Sequence, residues 1–392
     1  MTIHLSRRAA LHWLGATVTA SAFVPARLAL AAPSLSQDPQ EQRLVVIMLR
    51  GALDGLAAVP AYGDGAWSAL RGDADAMDAK ASPQPSALRL DGIFGLHPSL
   101  THLHAWYGRN ELLVVHATAS PYRERSHFDA QQLLESGGDK PFALNTGWLG
   151  RALQTTGRPA IALAAAMPLA LRGADGASTW TPDRRKDTDQ DLMARVGQMY
   201  RDDPQLAAAF GQAMGQQDMA MGADGDAGFS GLAKQAGSFL ADPKGPRVAW
   251  LEVGGWDTHT NQSARLTRLL TSLNDGLGAL RTGLGAHWAH TTVLIMTEFG
   301  RSAAYNGTGG TDHGTGGVAF LAGGNVAGGK VLCDWPGLAK GQLLDGRDLK
   351  PTIDLRSVIA PVVQHQFALS IAQLQTVVLP GVGKPTLSLW RT

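Results

Sequence analysis

Acidic and histidine side chains stand in short polar segments, each placed directly after an unbroken apolar run. Arg50-Gly51-Ala52-Leu53-Asp54-Gly55 follows the first run, and a loop ending in Arg125-Ser126-His127-Phe128-Asp129 follows the second. Gly254-Gly255-Trp256-Asp257-Thr258-His259 follows the third, and Glu298-Phe299-Gly300-Arg301, then Gly310-Thr311-Asp312-His313-Gly314, follow the fourth. Asp and His at buried strand ends need partners. Asp257 and His259 alternate by two, which in extended backbone sends both side chains to one side, as two ligands of one ion require. The other reading of that pair is a turn in which Asp257 caps a following helix and His259 faces solvent. Asp312 and His313 sit among Gly309, Gly310, Gly314, Gly316 and Gly317, where backbone can fold closely around a ligand. Carboxylate with imidazole suits Zn²⁺ and other first-row ions, whereas calcium or magnesium prefers oxygen alone. The expected cofactor is therefore a divalent metal, zinc foremost, as one or two ions held among Asp54, Asp257, His259, Glu298, Asp312 and His313.

Ser126 precedes a helical stretch, Phe128 to Leu134, with Asp129 three residues later. This reads as an N-cap. The same geometry has a functional reading, because a hydroxyl at a helix N-terminus sits where backbone N–H groups and the helix dipole favour an anionic substrate. On that reading Ser126 is the candidate nucleophile, Arg50 or Arg125 clamps two oxygens of the anion, and His127 assists or binds the metal. The expected substrate is a small anionic ester. His97, His102 and His104 read instead as surface or core histidines.

The apolar runs Leu44 to Leu49, Leu112 to Ala117, Arg247 to Val253 and Thr292 to Thr297 are continuous rather than alternating, which predicts strands of a sheet covered on both faces. Between the last two, Leu266, Leu269, Leu270, Leu273, Leu277, Leu280 and Leu284 recur at helical spacing, so residues 261–288 predict a helix with one face on the sheet. Strand, helix and strand in that order make a βαβ unit. The tail from Pro351 to Leu369 predicts a capping helix in which Asp354 and Arg356 are structural. Residues 43–392 are read as one α/β domain with a helical excursion near 190–237, preceded by a linker at 32–42.

Residues 1–31 read as an address. Ser6-Arg7-Arg8 stands before an apolar stretch, and Ala29-Leu30-Ala31 supplies a small-residue cleavage pattern. The segment Ser6 to Leu11 resembles a twin-arginine export signal; an ordinary secretory signal that happens to hold two arginines is the alternative. The resemblance implies passage through the twin-arginine export machinery, folding before export, and a periplasmic or secreted destination. No stretch approaches the roughly 20 apolar residues of a transmembrane helix, so no stable membrane insertion is expected. Cys333 is the single cysteine and excludes an intrachain disulfide. The formal net charge of +1 gives no electrostatic reason to expect a nucleic acid partner.

Five of these segments together, Leu49 to Gly55, Arg125 to Ala130, Gly254 to His259, Thr297 to Arg301 and Gly309 to Gly316, resemble those of the bacterial family called domain of unknown function 1501. That family is similar to the alkaline phosphatase and sulfatase superfamily. The implied fold is α/β, a doubly wound, mostly parallel sheet with helices on both faces, alkaline-phosphatase-like, with one or two metals at strand ends. Position by position, Asp54 resembles the first-strand metal aspartate, and Asp257 with His259 the paired ligands that precede the late helix. Thr297-Glu298-Phe299-Gly300 takes the place of a Ser-Asp-His-Gly strand end, with Glu298 for the aspartate and Phe299 unable to bind metal. Asp312 and His313 then supply the missing ligands or match the superfamily's final histidine. Ser126-His127 with Leu133 to Gly137 loosely resembles the nucleophile helix of sulfatases, but no Cys stands there to become formylglycine, which argues against a sulfatase of that type. The implied activity is metal-dependent hydrolysis of phosphate or related sulfate or phosphonate esters. The alternative is a non-catalytic exported protein on the same fold that binds an anion or glycan, or assists assembly.

Overall fold

Strands that are apolar at every position belong in the middle of a sheet buried on both faces, and that is where the four runs lie. The computed structural model describes residues 42–72, 87–182, 196–201, 203, 204, 206, 207, 210, 211 and 228–391. The expected export signal, the linker up to residue 41 and much of the excursion near 190–237 lie outside the described residues. The strands are β1 (Arg43–Leu49), β2 (Leu88–Arg89), β3 (Gly95–Leu96), β4 (Leu112–Ala119), β5 (Ala160–Ala162), β6 (Ala177–Thr179), β7 (Val248–Val253), β8 (Thr291–Thr297), β9 (Gly317–Ala322), β10 (Lys330–Leu332) and β11 (Ile353–Asp354). The helices that matter below are α1 (Gly55–Ala58), α2 (Trp67–Arg71), α3 (Thr101–Gly108), α4 (His127–Ser136), α5 (Trp148–Thr156), α6 (Phe229–Ala241), α7 (Gln262–Leu284) and α8 (Leu355–Phe367).

Nine strands form one sheet in the order β10-β4-β9-β8-β1-β7-β5-β6, with β11 paired to β4. β1 is parallel to β7 and β8, β5 to β6 and β7, and β4 to β10 and β11. β9 runs antiparallel to both β4 and β8. All strands but β9 therefore point the same way. Alternate residues of β1 serve opposite faces: Val45, Ile47 and Leu49 join a core with α3, α6 and α7, and Leu44, Val46 and Met48 join a second core with α5 and α8. This is a sheet covered on both faces, as the apolar runs predict, and the doubly wound, mostly parallel arrangement that the family resemblance implies.

The predicted late helix is α7, and Leu266, Leu270, Leu273, Leu277, Leu280 and Leu284 are its buried stripe. It crosses from β7 to β8, which lie on either side of β1. The tail helix is α8, and Asp354 caps it by accepting the Arg356 N–H at 2.9 Å. The carboxyl ends of β1, β4, β7 and β8 share one edge of the sheet, the place where open α/β sheets present their crevice. Because β9 runs the other way, the loop in front of it, residues 298–316, returns to that same edge.

Candidate metal centre

Three segments meet at this edge. His127 is the first residue of α4, reached from β4 by a loop in which Arg125 adopts the left-handed conformation (φ 56°). Asp257 and His259 follow β7. Thr258 between them is fully buried and donates to Gln262 Oε1 at 2.7 Å, so the two flanking side chains turn to the opposite, open side. Asn261, not Asp257, is the N-cap residue of α7. His313 comes from the glycine-rich loop before β9. A Cβ at Gly310 would collide with the His259 carbonyl, and one at Gly314 with Arg301 backbone; only glycine lets this loop lie flat against the other two segments.

The donor atoms converge closely. His127 Nε2 and His313 Nε2 are 3.0 Å apart, and Asp257 Oδ1 lies 3.2 Å from the latter and 3.6 Å from the former. His259 Nε2 approaches the same pair, at 3.1 Å from His313 Nε2 and 3.0 Å from Asp257 Oδ1. Each imidazole has its other nitrogen against an oxygen acceptor: His127 Nδ1 against Glu298 Oε1 at 2.8 Å, His313 Nδ1 against the Arg125 carbonyl at 3.0 Å, and His259 Nδ1 against Asp312 Oδ1 at 3.3 Å. Those acceptors require Nδ1–H on all three rings. In the neutral rings every Nε2 then presents a lone pair, so three nitrogen lone pairs and a carboxylate oxygen face one another with no proton between them. A cation resolves that repulsion. Bonds of about 2.0–2.1 Å to a tetrahedral zinc place ligand atoms roughly 3.3 Å apart, and the donor spacing matches. The residues present fit a zinc-type ion, with His127, Asp257 and His313 the compact set and His259 beside it.

The electrostatics agree. Burial alone would raise the Asp257 pKa, but the hydrogen bond and charge of Arg301, with those of the neighbouring histidines, carry it below the ordinary value. Arg301 is itself buried, reaching Asp257 Oδ1 at 2.5 Å and Thr311 Oγ1 at 3.2 Å. The bond to Glu298 raises the His127 pKa, whereas burial and the neighbouring His127 lower that of His313. Glu298 is fully buried; burial pushes its pKa up, but bonds from His127, Gln131 Nε2 (2.9 Å) and Gly51 N (2.8 Å) bring it below the usual carboxylate range.

Several expectations are corrected here. Asp54 does not join the ion site: it is 1% exposed, its Oδ2 accepts from Arg71 at 2.7 Å and Gln262 at 2.6 Å, and its Oδ1 caps α1 through Ala57 N. A carboxylate so fully engaged has no lone pair to offer a metal. Glu298 and Asp312 support imidazoles rather than meeting the donor cluster themselves. Arg50 is no free anion clamp, because it forks onto Glu252 (2.8 and 2.6 Å) and also binds Gln131 and Glu135. Ser126 is the N-cap residue of α4 but makes no capping bond, and Asp129 accepts from Tyr122 instead. Its hydroxyl stands beside Tyr122 and is not among the converging atoms. Arg301, Gln131, Arg347 and Asp348 had been given no role. Arg301 follows the Thr-Glu-Phe-Gly strand end and so carried a positional signal; Gln131, Arg347 and Asp348 carried none.

Solved structures similar to the chain include the phosphonate monoester hydrolase of Agrobacterium radiobacter (10% identity, 89% of this chain and 79% of that one, TM-score 0.41). A second is the C-terminal periplasmic domain of EcEptC from Escherichia coli in complex with Zn (10% identity, 75% and 77%, TM-score 0.36). A third is a putative sulfatase from Bacteroides thetaiotaomicron VPI-5482 (11% identity, 88% and 76%, TM-score 0.40). No curated protein matches the chain. The family profile described as "Protein of unknown function (DUF1501)" matches residues 112–378, which contain every residue of the candidate metal centre, and the chain belongs to that family.

Proposed function

We propose that this protein is an exported, metal-dependent hydrolase of phosphate or related esters. One observation carries the reading: the donor atoms of His127, Asp257 and His313 all lie within 4.8 Å of one another, with His259 beside them, and each imidazole has an oxygen acceptor on its far nitrogen. Such carboxylate- or carbonyl-backed histidines are what a catalytic zinc site is built from. His127, Asp257 and His313 would hold the ion, with His259 completing the set. When bound, zinc supplies Lewis acidity toward an ester oxygen and eases deprotonation of an attacking hydroxyl.

The chain's own residues do the rest. Glu298 and Asp312 fix the rotation and tautomer of His127 and His259. Arg301 keeps Asp257 ionised. Ser126, the N-cap residue of the ten-residue helix that begins with His127, stands beside Tyr122 and away from the donor atoms, so a water at the ion would be the attacking group. For the export arm, the reading rests on the resemblance of residues 6–11 to a twin-arginine signal and on a periplasmic or secreted destination. Among the described residues no helix is long and apolar enough to cross a membrane. Burial pushes the Cys333 thiol up to about 12, which keeps the lone cysteine unreactive in an oxidising compartment.

The test is turnover of phosphomonoester, phosphodiester and sulfate-ester substrates by zinc-reconstituted protein, against a His259→Ala control. Hydrolysis by the native chain well above the control is expected; equal rates would overturn the reading. His259 beside the three-donor set favours a second reading, since a fourth protein donor would close the site as structural zinc is held. Stoichiometric zinc without turnover would select that reading, a non-catalytic anion- or glycan-binding protein.

A further inference from the structure

Asp348 is fully buried and carries two arginines. Its Oδ2 accepts from Arg125 Nε at 3.1 Å, Arg125 Nη2 at 2.8 Å and Thr315 Oγ1 at 2.9 Å, and its Oδ1 accepts from Arg347 Nη1 at 2.9 Å. A buried carboxylate needs one cation to offset its charge. The second guanidinium exceeds what charge compensation of Asp348 alone requires.

Both arginines are also tied to the metal centre through His313. The Arg125 carbonyl holds His313 Nδ1, and Arg347 Nη2 donates to the His313 carbonyl at 3.0 Å. Their side chains stay partly open to solvent, 32% for Arg125 and 41% for Arg347. Of the five N–H donors on a guanidinium, Arg347 commits two, and Nη1 of Arg125 has no partner among the described residues. The nearest further acid, Asp345, is 3.9 Å from Arg125 and 74% exposed, so water screens it.

We propose that Arg125 and Arg347, joined through Asp348, form an oxyanion clamp beside His313 that takes a tetrahedral anion, phosphate or sulfate, as the charged group of the substrate. The assignment rests on reading the centre as that of an ester hydrolase. The N–H groups these two guanidiniums leave uncommitted, Arg125 Nη1 among them, are donors suited to the oxygens of such a group.

The experiment is calorimetric titration of inorganic phosphate, and separately sulfate, into native, Arg347→Gln, Arg347→Lys and Arg125→Gln protein, with zinc content and thermal midpoint recorded for each sample. Arg347→Gln is expected to weaken phosphate binding about tenfold or more, and Arg347→Lys by less, because the charge stays but the fork is lost. Zinc content is expected to stay at the native level. Native protein that binds neither anion, or Arg347→Gln and Arg347→Lys proteins that bind as tightly as native, would overturn the clamp. Ester turnover with arginine-independent phosphate binding would remove the clamp and leave the hydrolase reading standing. Arginine-dependent phosphate binding without turnover of any ester would do the reverse.

Discussion

His127 and His313 face each other nitrogen to nitrogen at 3.0 Å, although each ring already gives its Nδ1 proton to an oxygen elsewhere, Glu298 for one and the Arg125 carbonyl for the other. A single shared proton satisfies one such contact and leaves the approaches of His259 and Asp257 repulsive. A cation satisfies all of them. An ion bound between these atoms would tie together three segments, from β4, β7 and the β8–β9 loop.

The proposed ion would then contribute to the stability of the native chain. Native protein is expected to bind one zinc, and His313→Ala to bind none. At a hundredfold excess of zinc over its dissociation constant the native protein gains about 2.7 kcal/mol, seen as a thermal midpoint that falls when a chelator is added. In His313→Ala the chelator should do nothing. A chelator-insensitive native midpoint, with no zinc by elemental analysis, would remove the metal from the account.

Glu298 and Asp312 back two of the imidazoles in the same way but in different surroundings, fully buried against half-exposed. A hydrogen bond to the far nitrogen of a ligand histidine is worth about 10–100-fold in metal affinity, and more of it survives where water cannot compete. Glu298→Gln is expected to lose affinity toward the upper end of that range and Asp312→Asn toward the lower end or below it, read by competition with a chromophoric chelator. The opposite order would show that solvent exposure does not set the strength of this support.

Much of this was legible before any coordinates. Continuous apolar runs such as Leu44 to Leu49 fixed the sheet, because only strands covered on both faces tolerate them. The two-residue alternation of Asp257 and His259 and the glycines around His313 pointed to residues that the fold does bring together. What could not be read was the division between atoms that meet the ion and atoms that hold them. Glu298 and Asp257 both follow strands, and only their three-dimensional neighbours, His127 for one and the open cluster for the other, separate their roles. Asp54 misled for a similar reason: its partner Arg71 lies in α2, a short helix that no motif announces. The Arg347 and Asp348 pair lies in a turn preceded by no apolar run, so nothing local pointed to it.

Asp54 provides a sharp contrast with the centre. It is locked to buried Arg71, and although burial raises its pKa, the charge and bonds of Arg71 and the bond from Gln262 carry it below the ordinary value. Removing one member of such a pair leaves an uncompensated charge and costs about 3–5 kcal/mol. Asp54→Asn is expected to lose stability on that scale in chemical denaturation and to keep its zinc. Loss of zinc in folded Asp54→Asn protein would restore Asp54 as a ligand.

His116 is one of the buried groups, with His97, through which the fold answers to acid. It is fully buried in β4, stacked on Phe94 with centroids 5.2 Å apart and edge-on to Trp335 at 5.3 Å. Its Nε2–H donates to the Val59 carbonyl at 3.0 Å while Nδ1 accepts the Ala117 N–H at 2.8 Å, so a second ring proton has nowhere to go. Burial pushes its pKa down to about 4, against the opposing pull of the Val59 carbonyl and Asp54. The unfolded chain takes up a proton near pH 6.5, the native chain only near pH 4, so the unfolded state binds more protons across that window and stability falls as pH falls through it. The full loss is about 3 kcal/mol. In His116→Gln, whose amide can supply one donor and one acceptor, stability at pH 7.5 is expected to drop, and the difference in unfolding free energy between pH 7.5 and 4.5 should shrink by roughly that amount. An unchanged pH slope in this variant would mean that His116 titrates alike in both states, and that the acid sensitivity of the fold arises elsewhere.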